Sequence, residues 1–275
     1  METQQRTYPE GVPSWIDVEH SDLALACDFY EGLFGWQFVE SEGDGGRYVV
    51  ARLDGQDVAG LASTSSATAV WSTYVAVDDA DRVAARVGAA GGRVVRPPTV
   101  FGTAGRAACC EDPDGVPFRL WEAGARRGAQ LTNAPGAWNF SDLHCAVPAA
   151  AEPFYRAVFG WEVADLGFGW MIRRPGYGDH LAATVDPGIH DRQDAVAAPP
   201  GFADAIGWMA SVNAEVRPHW HVTFTVADRD DAAAAAERLG GIVLSSADTE
   251  WTRSAEIRDP EGAVFTASQF TPPSG

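Results

Sequence analysis

The sequence predicts an α+β fold in which four βαβββ units form two tandem domains with mixed sheets. The main observation is an internal repeat, because FYEGLFGW at residues 29–36 returns as FYRAVFGW at residues 154–161. In each copy, apolar residues at helical spacing are followed by a glycine that can adopt the left-handed conformation of a helix C-cap. The chain then changes to an extended run, as expected where a strand follows the helix.

The first unit starts with an alternating strand. Residues 14–19 place apolar side chains on every second position, and Ser21 or Asp22 is suited to cap the following helix. Further strands are expected over residues 47–53 and 57–63, joined by an Asp-Gly turn. Together with the extended run after the helix, they complete one βαβββ unit.

The second unit begins at Trp71 with another alternating strand. A helix is expected from Asp78 to Ala90, where two glycines end it. Three strands follow, and DPDG at residues 112–115 is the turn between the last two, because proline and glycine suit fixed positions in tight turns. The same landmarks return in the second half, where the turn reads DPEG.

The second half also carries an insertion. Equivalent residues are 125 positions apart at the FY motif but 149 apart at the tryptophans that open units two and four, which leaves 24 extra residues between them. We expect the insertion near residues 186–217, as a lid or a domain-packing arm that carries the apolar residues Phe202, Trp208 and Met209.

These landmarks divide the chain into four regions. Residues 1–12 are expected to be a loose tail, and residues 125–135 a linker. The first domain is predicted over residues 13–124 and the second over residues 136–272. Each is large enough to bury its own core.

Composition excludes several classes of protein. The net charge of −18 and the isoelectric point near 4.6 disfavour binding to nucleic acid or to anionic membranes. The sequence has no apolar run long enough to span a bilayer and no secretory signal, so a cytoplasmic monomer or homodimer is expected. The four cysteines form no CxxC pair and are expected to be reduced.

The FY..LFGW segments and the DPDG and DPEG turns resemble those of the vicinal oxygen chelate superfamily, which contains glyoxalases, bleomycin-resistance proteins and extradiol dioxygenases. WSTYVAVDD at residues 71–79 and VAGL at residues 58–61 are similar to tandem-domain bacterial glyoxalase-like proteins. The resemblance implies that paired units curl their strands into a cup that binds a small molecule. It does not imply one reaction, because this fold hosts several chemistries.

The resemblance also assigns positions to metal ligands. In the first half they fall at Trp15, Ser72 and Arg119, with Gly60 as a candidate on the fourth strand. In the second half they fall at Phe140, His221 and Thr266, with the region 180–182 as the fourth-strand candidate. Since His221, with His180 as a second candidate, is too small a set for a divalent ion, we expect no metal and no other cofactor.

Strand alternation predicts which side chains share the inner face of a cup. The candidate catalytic residues on that face are His221, Asp17, Glu19, His144 and Asp142. The candidate substrate-binding residues are Trp15, Phe140, Tyr74, Arg119, Trp121, Thr223, Thr266 and Trp208. The sequence leaves open whether units one and four share a cup, with units two and three in the other, or whether the units pair within each half. His219, at a strand edge, is expected to be solvated.

Three functions fit this set of residues. The first is a metal-independent enzyme of secondary metabolism that acts on an aromatic or polyketide-like metabolite by acid–base isomerisation, cyclisation, elimination or ring opening. The second is a resistance protein of the bleomycin-resistance type that sequesters a drug or metabolite. The third is a dioxygenase or lyase that holds a metal through unconventional ligands such as Asp17, Glu19 and His221.

Overall fold

The computed structural model describes residues 5–41, 47–66, 69–196, 198–213 and 215–272. Within them the order of one strand, one helix and three strands occurs four times, which confirms the predicted fold class. The first half comprises β1 (Pro13–His20), α1 (Leu23–Phe34), β2 (Gln37–Ser41), β3 (Tyr48–Leu53), β4 (Gln56–Ser63), β5 (Val70–Ala76), α2 (Ala80–Ala89), β6 (Arg93–Phe101), β7 (Gly105–Glu111) and β8 (Pro117–Ala123).

The second half follows the same order with additional helices. It comprises β9 (Trp138–Cys145), α3 (Pro148–Phe159), β10 (Glu162–Asp165), β11 (Trp170–Arg173), α4 (Tyr177–Ala183), α5 (Ile189–Ala195), a 3-10 turn (Phe202–Asp204), β12 (Ala205–Ser211), β13 (His219–Thr225), α6 (Arg229–Arg238), β14 (Ile242–Asp248), β15 (Thr252–Arg258) and β16 (Val264–Phe270).

The repeated helices end as the sequence predicts. Asp22 caps α1, since its side chain accepts hydrogen bonds from the backbone amides of residues 24 and 25. Gly35 and Gly160 follow α1 and α3 with φ of +73° and +70°. This left-handed conformation costs glycine little because it has no Cβ.

The strands form two eight-stranded mixed sheets, one from each half of the chain. Their orders are β2-β3-β4-β1-β5-β8-β7-β6 and β10-β11-β12-β9-β13-β16-β15-β14. We call each βαβββ segment a module. Within a module the opening strand runs parallel to the last strand, as β1 does with β4 and β9 with β12. The two βαβββ modules of each half therefore share one sheet, so the strands pair within each half, one of the two arrangements that the sequence left open.

The insertion lies earlier than the sequence analysis places it. The added helices and the 3-10 turn all lie between the end of β11 and the start of β12. The segment Ala205–Ser211, predicted to belong to the insertion, is instead the fourth strand of its module and pairs with β9. Met209 on this strand is only 2% exposed because it points into the core opposite Leu143.

The chain also divides into two compact units that combine modules from different halves. Unit 1 consists of the described residues of Met1–Ser14, Thr73–Gly128 and Ser141–Trp220, and unit 2 of Trp15–Ser72, Ala129–Phe140 and the described residues of His221–Gly275. Four of the five divisions fall inside the opening strands β1, β5, β9 and β13, and the fifth lies between Gly128 and Ala129.

Each unit has a tyrosine at its centre. In unit 2, Tyr30 stacks on Trp36 with ring centroids 5.3 Å apart, and its hydroxyl donates to the Asp259 carboxylate at 2.9 Å. In unit 1, Tyr155 stacks on Trp161 at 4.9 Å and donates to Asp112 at 2.9 Å. Both carboxylates come from the DPDG and DPEG turns, so the repeated motifs meet inside each core.

Residues 5–12, which precede β1, pack against other residues of unit 1, whereas the sequence predicts a loose tail over residues 1–12; residues 1–4 lie outside the described residues. The carboxylate of Glu10 contacts Arg82 at 2.7 Å and Arg86 at 2.6 Å. The backbone carbonyl of Gly11 accepts a hydrogen bond from the indole of Trp161 at 2.5 Å, and Val12 is buried. These contacts join the segment to the second and third modules.

The described residues contain no helix that combines the length and apolar character needed to cross a membrane. All four cysteines are free thiols, and Cys110 and Cys145 are buried.

Candidate functional site

Each sheet has one face that the sequence assigns to the inside of a cup, and we call it the open face. The open face of the second sheet is more accessible than that of the first. On β9, residues 140, 142 and 144 are half-buried, whereas residues 141, 143 and 145 are buried. On β1 of the first sheet, Trp15 and Asp17 are only 3% and 1% exposed although they lie on the face that the sequence assigns to the cup. The second sheet is therefore the better place for a ligand to reach polar side chains.

Aromatic side chains fill the first-sheet face within unit 2. The indole of Trp15 donates to the Tyr48 hydroxyl at 2.8 Å, and that hydroxyl lies 3.4 Å from the Asp17 carboxylate. A Cβ at Gly60 would lie 1.9 Å from the same hydroxyl. Glu19, half-buried, pairs with β4 further along the strand. Gly60 thus leaves the space that the Tyr48 hydroxyl occupies, an arrangement that the sequence analysis missed.

A second group on the first sheet lies within unit 1. Arg119 donates to the Tyr74 hydroxyl at 2.8 Å, and its guanidinium lies 5.3 Å from the centre of that ring. The ring of Trp121 meets Tyr74 edge-on with centroids 6.2 Å apart. Such a cation beside two aromatic rings suits a flat anionic group such as a phenolate.

The most perturbed carboxyl group on the open face of the second sheet is Asp142. Its Oδ1 accepts a hydrogen bond from the backbone amide of Trp208 at 2.9 Å. Desolvation raises the pKa of Asp142 to about 7, although this hydrogen bond acts in the opposite direction. Asp142 therefore has both a protonated and an ionised form available near neutral pH.

His144, two residues after Asp142 on β9, lies close to His219 at the start of β13. The rings of His144 and His219 meet edge-on with centroids 4.8 Å apart. Desolvation, together with the neighbouring His219, lowers the pKa of His144 to about 4. The Nδ1 of His219 lies 2.9 Å from the carbonyl oxygen of Arg217. Because a carbonyl oxygen can only accept, Nδ1 of His219 is the donor in this hydrogen bond.

His221 follows His219 by two residues, so both lie on one face of β13. Its Nε2 lies 2.8 Å from the Thr266 hydroxyl, and Thr266 pairs with Thr223 across β13 and β16. One nitrogen from each of His144, His219 and His221 lies within 4.8 Å of the others. Three imidazoles at this spacing form the one group of metal-binding residue types detected among the described residues.

The positions that the family uses for metal ligands carry a different set. The register of β9 with β12 places Trp208, rather than the predicted region 180–182, opposite Asp142. That region is wrong because it lies in helix α4, where His180 contacts Thr7. In the second half, the positions that the resemblance assigns to metal ligands carry Phe140, Trp208, His221 and Thr266. Because His221 alone has a side chain that commonly binds divalent ions, this set does not fit a divalent metal site.

The predicted site residues are thus distributed over several groups. The structure brings together Trp15 with Asp17, Tyr74 with Arg119 and Trp121, Asp142 with Trp208, and His221 with Thr266 and Thr223. Phe140 is half-buried on the same face of β9 as Asp142. Residues that the sequence did not place in the site are His219, Tyr48, Phe168 and Phe202, although Phe202 is one of the apolar residues predicted in the insertion. Of these, His219 carried a signal, the spacing of two from His221.

Sequence comparisons identify the family. The profile described as "Glyoxalase/Bleomycin resistance protein/Dioxygenase superfamily" matches residues 14–120, and a "Glyoxalase-like domain" profile matches residues 140–268. The anthracycline biosynthesis protein DnrV of Streptomyces peucetius is 35% identical, over 96% of this chain and 94% of its own length. CFP32 of Mycobacterium bovis, provisionally named a glyoxylase, is 34% identical over 96% and 97%.

Solved structures share the fold at low sequence identity. The Mn(II)-bound glyoxalase of Novosphingobium aromaticivorans has a TM-score of 0.62 and 18% identity, covering 94% of this chain and 82% of its own. The 2,2',3-trihydroxybiphenyl 1,2-dioxygenase of Sphingomonas wittichii has a TM-score of 0.58 and 15% identity, covering 95% and 90%. The profile matches and the repeated βαβββ modules show that this chain belongs to the Glyoxalase/Bleomycin resistance protein/Dioxygenase superfamily.

Proposed function

We propose that this protein is a metal-independent enzyme of secondary metabolism that acts on an aromatic or polyketide-like metabolite by acid–base chemistry. The proposal rests on the Asp142 carboxyl, which is half-buried on β9 and accepts a hydrogen bond from the Trp208 amide at 2.9 Å. Desolvation raises its pKa to about 7, which suits a group that gives and takes a proton at neutral pH. The relative named for anthracycline biosynthesis supports this kind of substrate. We propose a cytoplasmic protein, monomeric or homodimeric.

The neighbouring residues suit complementary roles in this proposal. His144, with its pKa lowered to about 4, is neutral at pH 7 and accepts a proton or hydrogen bond through a ring nitrogen. His221 is oriented by the Thr266 hydroxyl. Half-buried Phe140, Thr223 and Trp208 would contact the substrate.

The first sheet contributes differently. We propose that Arg119, Tyr74 and Trp121 bind a phenolate or carboxylate group of a ligand. Asp17 and Glu19, also proposed as acid–base groups, require an approach to a face on which Asp17 and Trp15 are buried. We therefore rank them below Asp142.

The test replaces Asp142 by Asn, which keeps an oxygen for the Trp208 amide but has no titratable proton. With hydroxylated naphthoquinones and anthraquinones as substrates, followed by mass spectrometry, we expect Asp142→Asn to lower turnover by about 10²-fold or more. Ligand affinity should change little. Unchanged turnover in this variant would refute the proposal, and binding without turnover in the wild type would indicate a sequestering protein instead.

A second candidate function is a metal-dependent dioxygenase or lyase, favoured by the three-histidine group. A divalent ion bound to His144, His219 and His221 would act as a Lewis acid toward a substrate oxygen. The donor set differs from the Asp17, Glu19 and His221 set that the sequence suggested.

Elemental analysis of protein purified without chelators tests this candidate. Stoichiometric iron, manganese or zinc that is lost in His219→Gln would establish it. The matched control is His190→Gln, because His190 is an exposed histidine that contacts Asp179 in the insertion. Metal-free protein with full turnover would exclude it.

A further inference from the structure

Three aromatic rings of unit 1 meet at Trp208, whose backbone amide donates a hydrogen bond to the Asp142 carboxyl. Trp208 lies on β12, where its amide donates to Asp142 and its neighbour Met209 points into the core. By strand alternation the indole therefore lies on the open face, half-buried. The indole is fixed by the strand while one side of it stays accessible.

Phe168 reaches this indole from the hairpin between β10 and β11. The hairpin is closed by a hydrogen bond from the Leu166 amide to the Gly169 carbonyl at 3.0 Å, and the Asp165 carboxylate accepts from the Gly167 amide at 2.8 Å. The turn backbone is thus well determined. Nevertheless the ring of Phe168 is 75% exposed, the largest exposure among the large apolar side chains of the described residues.

The third ring comes from the insertion. Phe202 lies in the 3-10 turn just before β12. Its centroid is 6.2 Å from that of Trp208 at 46°, and that of Phe168 is 6.0 Å from Trp208 at 45°. A Cβ at Gly169 would lie 3.4 Å from the indole, so the hairpin approaches the ring closely. Two phenyl rings therefore contact one indole at similar centroid distances and interplanar angles.

We propose that Phe168, Trp208 and Phe202 form an aromatic clamp for a planar ligand of two or more fused rings. Tilted rings that do not stack on each other leave π surface for a flat partner, and aromatic rings prefer offset-stacked or edge contacts at these distances. The inference rests on the proposed function for the reaction, because Asp142 then lies beside the clamp. It adds a substrate class and two residues, Phe168 and Phe202, that determine specificity.

A fused-ring specificity follows from the size of the clamp. A single ring can contact the indole alone, whereas a longer planar system also reaches Phe168 or Phe202. At the equivalent place in the first half, β3 ends at Leu53 and β4 begins at Gln56, so the two strands are joined by residues 54–55 where the second half carries the insertion. The clamp is therefore a feature of the second domain.

The test measures binding of 1,2-dihydroxyanthraquinone and of catechol by calorimetry. We expect the three-ring probe to bind at least ten-fold more tightly than catechol in the wild type. Phe168→Ala should weaken three-ring binding by about ten-fold and catechol binding by less than about two-fold. Phe168→Leu, which keeps apolar area without a π face, should recover only part of the loss.

The matched control is Phe270→Ala. Phe270 is also exposed and lies on a tryptophan, Trp251, with centroids 6.2 Å apart, but the two rings stack on each other at 22°. Its replacement should leave both affinities unchanged. Circular dichroism verifies folding, which is secure for Phe168 because its ring is exposed.

Equal affinity of the wild type for the two probes, or unchanged three-ring binding in Phe168→Ala, would overturn the clamp. Loss of a dimer in that variant without loss of binding would assign the ring to contacts between copies, and would also overturn it. Asp142→Asn separates the two proposals. The Asp142→Asn variant should keep its affinity for the three-ring probe and lose turnover. A negative binding result for Phe168→Ala would therefore leave the role of Asp142 unaffected, and a negative turnover result for Asp142→Asn would leave the clamp unaffected.

Discussion

Replacing Asp142 by Asn should stabilise the protein at neutral and alkaline pH. In the folded state desolvation raises the pKa of this carboxyl from an ordinary value of 3.8 to about 7. The folded protein therefore holds a proton that the unfolded chain has released between these pH values. Stability of the wild type should fall as the pH rises through this window and then become constant above about pH 7.

The magnitude follows from the same values. A pKa difference of about 3 corresponds to roughly 4 kcal/mol at about 1.36 kcal/mol for each tenfold change. Relaxation of the surroundings lowers this figure, so we expect about 2 to 4 kcal/mol above pH 7. Asn is neutral at every pH and retains an acceptor for the Trp208 amide, so it avoids the cost of burying a charge.

The assay is urea unfolding of wild type and variant at pH 4, 6 and 8. The gain should be small at pH 4 and reach its full size at pH 8. The control is Asp165→Asn, since Asp165 also accepts one backbone amide bond, from Gly167 at 2.8 Å, but is exposed. A variant that is less stable at pH 8, or a difference independent of pH, would refute the reasoning.

Further predictions concern the core and the histidine pair. Tyr155→Phe leaves the buried Asp112 carboxylate without its hydroxyl donor and should lower the free energy of unfolding by about 1.5 to 3 kcal/mol in urea titrations; an unchanged midpoint would contradict this. In NMR titrations His144 should change protonation near pH 4, and His219→Gln should raise that midpoint because it removes a repulsive neighbour; a wild-type midpoint near 6.5 would be inconsistent. Gly207→Ala places a Cβ 2.5 Å from a backbone oxygen of β9, so it should lower the free energy of unfolding by about 1 to 3 kcal/mol. Thermal unfolding measures this change, and an unchanged melting temperature would show that the strands can separate locally.

Local signals in the sequence were sufficient for the repeated modules. Asp22, Gly35 and Gly160 cap the helices as predicted because capping depends on a few neighbouring backbone groups. Strand β6, Arg93–Phe101, continues through two prolines beyond residues 93–95, where the sequence pattern predicts a strand. It lies at the edge of its sheet, where a proline without an amide hydrogen is tolerated, and it carries two register shifts.

Long-range pairing was harder to predict. Strand β12, Ala205–Ser211, is short, contains glycine and follows a proline-rich loop, so its local pattern favours a loop. It becomes a strand because it pairs in parallel with β9, whose paired residues lie 66 positions earlier in the chain. The same error hid the position of Trp208 opposite Asp142. His219 was missed because the strand begins at that residue, where alternation has no preceding residue to support it.

Each compact unit combines segments from both halves of the chain, which has a consequence for expressing the halves separately. A cut in the linker would yield fragments that correspond to the sequence repeat, yet each would carry only part of both hydrophobic cores. Tyr30 would be separated from Asp259, and Tyr155 from Asp112. Neither fragment should fold alone, whereas the two expressed together should complement each other and reassemble. Each half of the chain therefore needs the other half to complete a hydrophobic core.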